Sequence, residues 1–381
     1  MTHRCRVLSI LLAGLAATGA GAQDAPPLQG KSTLVYIGTH TSGAGKGIYL
    51  FRLQSAGTEV FQNVTLVPLG LAAEATNPTF FEIDAQRRLL FAAHEIDQFE
   101  GKPGGAVSAF AIDETGRLKL INQRPSMGTA PCHLTLAAEG KYLVVANCGD
   151  GAVAVLPVAD GGQLGAATTE LAGLKSACVA TDPAGRFLFV CEPSADRLHA
   201  FQIDAVSGTL QPRPAIAAKA GAAPRQIVFR PDAQFAYVLN QKSSTITTFA
   251  YDAATGALKE IESVSTVPEY FDGPNTAHDI RVHITGKYLY TSNMGHDSVV
   301  LFNIDKDKGT LSYVEEQGTG GRHPREFGMQ PSGGHMAISL PETNQVLASR
   351  IDGTNGRLKP SGIFADVPSP ASVRFLPPAQ Q

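Results

Sequence analysis

Charge is scarce in this chain: 17% of its 381 residues are Asp, Glu, Lys or Arg, and the formal net charge is −3. No segment concentrates lysine and arginine, so the basic footprint that recruits nucleic acid is missing. No apolar run shows the 3.6-residue period of a substantial amphipathic helix, which argues against a helical architecture. The five cysteines include no C-x-x-C pair and no zinc-ligand spacing, and no G-x-S-x-G elbow is present for an activated serine. No dedicated metal or cofactor motif is found, and neither a metal nor a cofactor is expected.

What the chain does contain, at its start, is a short apolar run, VLSILLAGLAA (7–17), behind Arg4 and Arg6 and ahead of the small-residue stretch TGAGAQD. This pattern predicts a secretory signal peptide over 1–22, cleaved after Ala22. The run is too short for a membrane span, for which about 20 residues are needed. The division expected is a flexible segment over 23–30, one globular domain over 31–377 and a tail over 378–381. The mature chain should be periplasmic or secreted, with no membrane insertion.

The domain is repetitive. STLVYIGT (32–39), QRRLLFAA (86–93), GKYLVVAN (140–147), GRFLFVCE (185–192), AQFAYVLN (233–240), GKYLYTSN (286–293) and GGHMAISL (333–340) recur about every fifty residues. Each is followed by a second β-rich segment such as RLHAFQID or SVVLFNID. A glycine turn and a leucine then open a further strand, as in DETGRL, DAVSGTL, DAATGAL, DKDKGTL and DGTNGRL. A fourth strand lies upstream of each core. A period of this length, built from alternating or clustered apolar residues, predicts an all-β, seven-bladed β-propeller of four-stranded antiparallel blades. ASVRFLPP (371–378) has no core of its own and should close the ring by joining the first blade. A closed ring leaves no sheet edge that requires a partner, so a monomer is expected.

In a propeller the starts of the innermost strands converge on one mouth of the channel. Counting back from each core places Pro78–Thr79, Cys132–His133, Ala177–Cys178, Arg225–Gln226, His278–Asp279 and Arg325–Glu326 there. A guanidinium fork can grip a carboxylate or polarise a carbonyl, and an imidazole can move a proton near neutral pH. The candidate catalytic residues are therefore His133, Arg225, Asp279, Arg325 and Glu326. His278, Gln226, Gln241, Cys178 and Glu192 are candidates for binding substrate. Asp279 and Glu326 could orient His133 or activate water; salt bridges to neighbouring arginines are the structural alternative. A second ring at the core-strand ends holds His94, Glu95, Asn147, Glu192, Asn240, Gln241, Asn293, His296 and Asp297. There the asparagines are expected to satisfy turns and His296–Asp297 to cap a hairpin. His283 is expected to pack, and His323 to orient the mouth or face solvent. Of the cysteines left after signal cleavage, Cys132, Cys148, Cys178 and Cys191, buried free thiols are expected, a Cys148–Cys191 bridge between blades being the alternative.

The segments YIGTHTSGAGKGIYLFRL, APCHLTLAAEGKYLVVANCGDGAVAVLPV, TDPAGRFLFVCEPSADRLHAFQID, APRQIVFRPDAQFAYVLN and GHDSVVLFNID resemble the seven-bladed propeller lactonase family, over roughly 31–377. That family includes 6-phosphogluconolactonase and carboxy-muconate lactonising enzymes. The resemblance implies lactone hydrolysis by arginines, a histidine and a glutamate at the channel mouth, acting on a small-molecule lactone without a cofactor. His133 follows the family's Pro-Cys-His pattern, and HPRE at 323–326 its His-Pro-Arg. Three positions depart from it: Gln226 stands for a histidine, Gln241 for a glutamate, and Cys178 occupies a place where relatives often carry a histidine. These departures keep two other readings open, a non-catalytic binding propeller and a lactonising isomerase or lyase acting on a dicarboxylic substrate.

Overall fold

In the computed structural model, described here for residues 32–58 and 61–378, seven four-stranded antiparallel sheets form the blades of a β-propeller. The predicted signal peptide lies outside the described residues. Blade 1 is assembled from both ends of the chain: Pro370–Phe375 is its inner strand, followed outward by Ser32–Thr39, Gly47–Thr58 and Phe61–Glu74. Val35 lies opposite Phe375 and Ile37 opposite Val373, so the expected closure is formed by antiparallel pairing. The inner strands of blades 2 to 7 are Pro78–Asp84, Pro131–Ala137, Cys178–Thr181, Pro224–Phe229, Thr276–Val282 and Phe327–Met329. A short hairpin, Gln98–Phe99 with Lys102–Pro103, is inserted in blade 2.

The second strand of each blade is buried on both faces, as in Tyr142–Asn147 and Phe235–Asn240. These continuous apolar runs are the repeats seen in the sequence. Among the described residues, seven apolar clusters fill the seven junctions between neighbouring blades. No blade could bury both faces alone, so ring closure supplies the last missing partner.

The glycine of each D-x-x-x-G turn has a second role at those junctions. Gly309 has φ +71°, and a Cβ there would stand 2.2 Å from the Phe235 ring of the preceding blade. The same turn accepts a hydrogen bond from Tyr237, whose hydroxyl donates to the Gly309 carbonyl at 3.0 Å. Gly356 receives the Tyr290 hydroxyl in the same way. The glycine thus serves the turn and a close approach between blades together.

The inner strands begin with irregular pairing. The ladder shifts register between Pro78 and Phe80, between Pro131 and His133, between Pro224 and Gln226, and between Ala277 and Ile280. An extra residue in one strand re-aims its side chains. That is how consecutive residues such as Arg225 and Gln226 both turn towards the axis instead of pointing to opposite faces.

The cysteine expectation is corrected. Cys132 and Cys148 form a disulfide within blade 3, with Cα atoms 5.8 Å apart, while Cys178 and Cys191 are free and buried. The register shift leaves Cys132 out of the ladder, beside the end of the next strand, where Cys148 follows Asn147. Cys191 is held inside its own blade, directly opposite Cys178, and so is not offered to Cys148.

Candidate active site

One cavity at the axis is bordered by all seven blades: Thr79 and Phe80, Cys132 and His133 with Cys148, Ala177 and Cys178, Arg225 and Gln226, His278 and Asp279, Arg325 and Glu326, and Ala371. Its volume of about 60 Å³ exceeds what a single water requires. The six pairs expected from the inner-strand starts therefore come together, apart from Pro78. Glu192 and Gln241 do not border the cavity. Glu192 is turned towards blade 4's third strand, where its carboxylate accepts from His199 Nε2 at 2.7 Å. Gln241 acts at one remove, its Oε1 accepting from Arg225 Nη1 at 3.1 Å.

The two arginines are held mostly by neutral groups. Arg225 donates from Nε to the His278 carbonyl and from Nη2 to His278 Nε2, both at 2.9 Å. Among the described residues it has no ion pair. Burial and the nearby Arg325 lower its pKa below the usual guanidinium value. Arg325 donates from Nη1 to His40 Nε2 at 2.6 Å and lies 3.5 Å from Glu95 Oε2. These contacts disfavour the protonated form of both imidazoles. Burial, then the charges of Arg225 and Arg325, push His278 well below the ordinary histidine value, and burial and Arg325 push His40 down as well.

Deeper in the channel, Asp279 and Glu326 join a cluster with three residues that the expected ring did not include, Arg281, Arg374 and Glu82. Glu326 Oε1 accepts from Arg281 Nη2 at 2.9 Å and from Arg374 Nη1 at 2.5 Å. Asp279 lies 3.4 Å from Arg281 Nε and accepts the backbone N–H of Ile280 and of Phe327. Glu82 belongs to the same cluster; burial raises its pKa against the attraction of Arg374, His133 and Arg281. The two carboxylates expected to assist His133 are thus engaged by arginines, and neither forms an ion pair with His133. Arg281 and Glu82 lie further along inner strands whose starts had been singled out, and Arg374 lies on the closing strand. Side-chain alternation along those strands was the signal that could have found them.

His133 has different company. Its ring packs on Phe80 at 3.9 Å between centroids, and Phe80 carries the Arg374 guanidinium on its ring at 4.5 Å. His133 Nε2 meets the Cys178 sulfur at 3.5 Å, and its Nδ1 is buried without a partner. Thr79 Oγ1 is likewise buried and unpartnered. Gln226, 7% exposed, makes no side-chain hydrogen bond among the described residues. Polar groups left open on a buried wall are uncommon and call for a ligand or water.

The outer ring is largely structural. Asn147 donates to the Ser126 and Ala152 carbonyls, Asn240 to Thr245 and Thr247, and Asn293 to the Thr266 carbonyl. His94 is fixed between the Thr76 carbonyl and Ser108. His283 is fixed between Thr285 and the Gly333 carbonyl. Asp297, at φ +55°, caps its turn, and His296 contacts Ser298. His323 pairs with Glu342. Of this ring, Glu95 reaches Arg325 and Gln241 reaches Arg225. Among the described residues, no group of three or more His, Cys, Asp or Glu side chains is placed to hold a metal ion, and no helix is long and apolar enough to cross a membrane.

Comparison with known proteins agrees with the fold. A 6-phosphogluconolactonase of Bacillus subtilis is 29% identical over 353 residues, covering 90% of this chain and 97% of the relative. That of Formosa agariphila is 27% identical over 349 residues, with coverage of 85% and 94%. The solved periplasmic gluconolactonase PpgL of Pseudomonas aeruginosa superposes with a TM-score of 0.83 at 26% identity, covering 91% of this chain and 99% of that one. The family described as "Lactonase, 7-bladed beta-propeller" matches residues 34–375: the chain belongs to the seven-bladed β-propeller lactonase family.

Proposed function

We propose that this protein hydrolyses a sugar lactone or a related acidic lactone to the hydroxy acid, outside the cytoplasm. The observation that carries the reading is Arg225: a guanidinium on the cavity wall held by an imidazole, a carbonyl and an amide, with no carboxylate in contact among the described residues. A cation so placed is incompletely compensated and favours an anionic group or the developing oxyanion of an attacked carbonyl. Arg325 borders the same cavity. His133 is the proton-transfer group, and it works without Asp279 or Glu326, which serve to hold Arg281 and Arg374. The net reaction consumes one water: the acyl C–O bond of the ring breaks, the carbonyl carbon gains the hydroxyl and the released oxygen is protonated; no electrons are exchanged. The 6-phosphogluconolactonase relatives and the gluconolactonase neighbour support a sugar lactone. The predicted signal peptide and the periplasmic location of that neighbour support an exported enzyme, for which an unphosphorylated sugar lactone is the better-placed substrate.

A second reading follows from the same geometry. Both carboxylates nearest the cavity are paired, so the pocket could bind an acid without turning it over. Proton release by purified protein on free and phosphorylated gluconolactone and on aromatic-acid lactones separates the two. Turnover above the spontaneous rate that falls about 10²- to 10³-fold in Arg225→Ala supports the hydrolase. Saturable binding of the hydroxy acid with no turnover of any lactone would replace it with the binding reading.

A further inference from the structure

We infer that Cys178 is the nucleophile of this site, forming a thioester with the opened lactone while His133 carries the proton. The inference rests on the lactonase reading for its substrate.

The first observation is placement. Cys178 opens the inner strand of blade 4 and borders the cavity together with Arg225 and Arg325. It is 1% exposed, so bulk solvent is kept from it and the cavity is its route of access. The second is its partner. The sulfur lies 3.5 Å from His133 Nε2, across a blade boundary, and this is the only side-chain hydrogen bond of His133 among the described residues. A thiol beside an imidazole is the arrangement that activates cysteine, because the thiolate is the reactive form and the imidazolium stabilises it. Burial pushes the Cys178 thiol up, but the hydrogen bond from Cys191 and the charge of His133 outweigh it and hold its pKa well below the ordinary thiol range. Cys191 is displaced the opposite way, well above it, which makes it the donor of the pair. The third is the rest of the wall. The Gln226 side-chain amide, on a residue 7% exposed and without a hydrogen bond among the described residues, and the unpartnered His133 Nδ1 are open to a bound molecule. A cysteine packed merely as a small apolar residue requires neither the imidazole nor the polar cavity.

The chemistry balances with water as the only co-reactant. The Cys178 thiolate adds to the lactone carbonyl carbon, and the oxyanion forms in the field of Arg225 and Arg325. The ring C–O bond then breaks, and the leaving alkoxide takes the proton from the His133 imidazolium. This leaves a hydroxyacyl thioester on Cys178 and a neutral His133. His133 next takes a proton from water, the hydroxide adds to the thioester, and the C–S bond breaks. The hydroxy acid leaves and the thiolate–imidazolium pair is restored.

The test is rapid acid quench of the whole protein with excess gluconolactone, followed by intact mass and peptide mapping, alongside steady-state rates for wild type, Cys178→Ser and Cys178→Ala. The expected result is an adduct of one lactone mass on the peptide bearing Cys178. Both variants should lose the adduct and about 10³-fold or more of kcat/KM, with unchanged thermal midpoints. Pretreatment with iodoacetamide should abolish activity and label Cys178 ahead of Cys191, with the lactone protecting. Variants that hydrolyse lactone within a few-fold of wild type, without an adduct, would overturn the inference and leave the lactonase reading standing. An adduct without turnover would sustain Cys178 and remove the hydrolase. Neither adduct nor turnover in wild type would overturn both.

Discussion

Glu326→Gln separates two roles that a buried carboxylate at this mouth could have. The native side chain is 6% exposed and receives two guanidiniums on one oxygen, from Arg281 at 2.9 Å and Arg374 at 2.5 Å. The glutamine keeps the shape and removes the charge, leaving Arg281 and Arg374 with Asp279 and Glu82 as the remaining anions. Opposite charges 4 Å apart attract by about 4 kcal/mol at the effective dielectric of ~20 that suits protein sites. Breaking a buried ion pair from one side costs about 3–5 kcal/mol. With about 345 described residues contributing about 2.1 cal/mol/K each, the unfolding entropy is about 0.7 kcal/mol/K. The midpoint should therefore fall by about 4–7 °C, read by calorimetry at neutral pH. Because Arg374 also lies on the Phe80 ring against which His133 packs, kcat/KM should fall too, by less than about tenfold. A midpoint within about 1 °C of wild type, together with a loss of activity above about 10³-fold, would refute this reasoning and make Glu326 the general base.

Three further outcomes follow from the same structure. The disulfide closes a loop of 16 residues, worth about 3 kcal/mol in chain entropy, so Cys132→Ser/Cys148→Ser should melt about 4 °C lower; an unchanged midpoint would show that the bridge contributes nothing. His40, His94, His278 and His335 all have pKa values lowered from 6.5, chiefly by burial. The native state then binds fewer protons than the unfolded chain, so stability should decline as pH falls below about 6.5; Glu82, raised by burial, has the opposite slope at more acid pH. Thermal midpoints between pH 7.5 and 5 check this, and His278→Gln should flatten the decline. Gly309→Ala would force a methyl against Phe235 at a positive φ and should cost about 2–4 kcal/mol, measured by denaturant unfolding against an alanine placed on an exposed strand position.

The blade count, the four-strand unit and the closing strand were legible in the sequence because each rests on local period. A strand buried on both faces must be apolar along its length, and the turn before each blade's outer strand must spare a Cβ where it packs on the preceding blade. The cavity's first residues were legible for the same reason: position along an inner strand sets depth in the channel. Arg225, His278, Asp279, Arg325 and Glu326 could be placed by counting. What they touch could not. The engagement of Glu326 by Arg281 and Arg374, the hold of His40 and Glu95 on Arg325, and the meeting of His133 with Cys178 all cross blade boundaries between residues about 45 to 285 positions apart. Such pairings depend on register shifts, side-chain reach and the angle between adjacent sheets, none of which leaves a periodic trace. The cysteines show the division clearly. Their restriction to blades 3 and 4 is plain in the sequence, but a displaced ladder at Cys132 decided which two are joined, and so which sulfur remains free beside the imidazole.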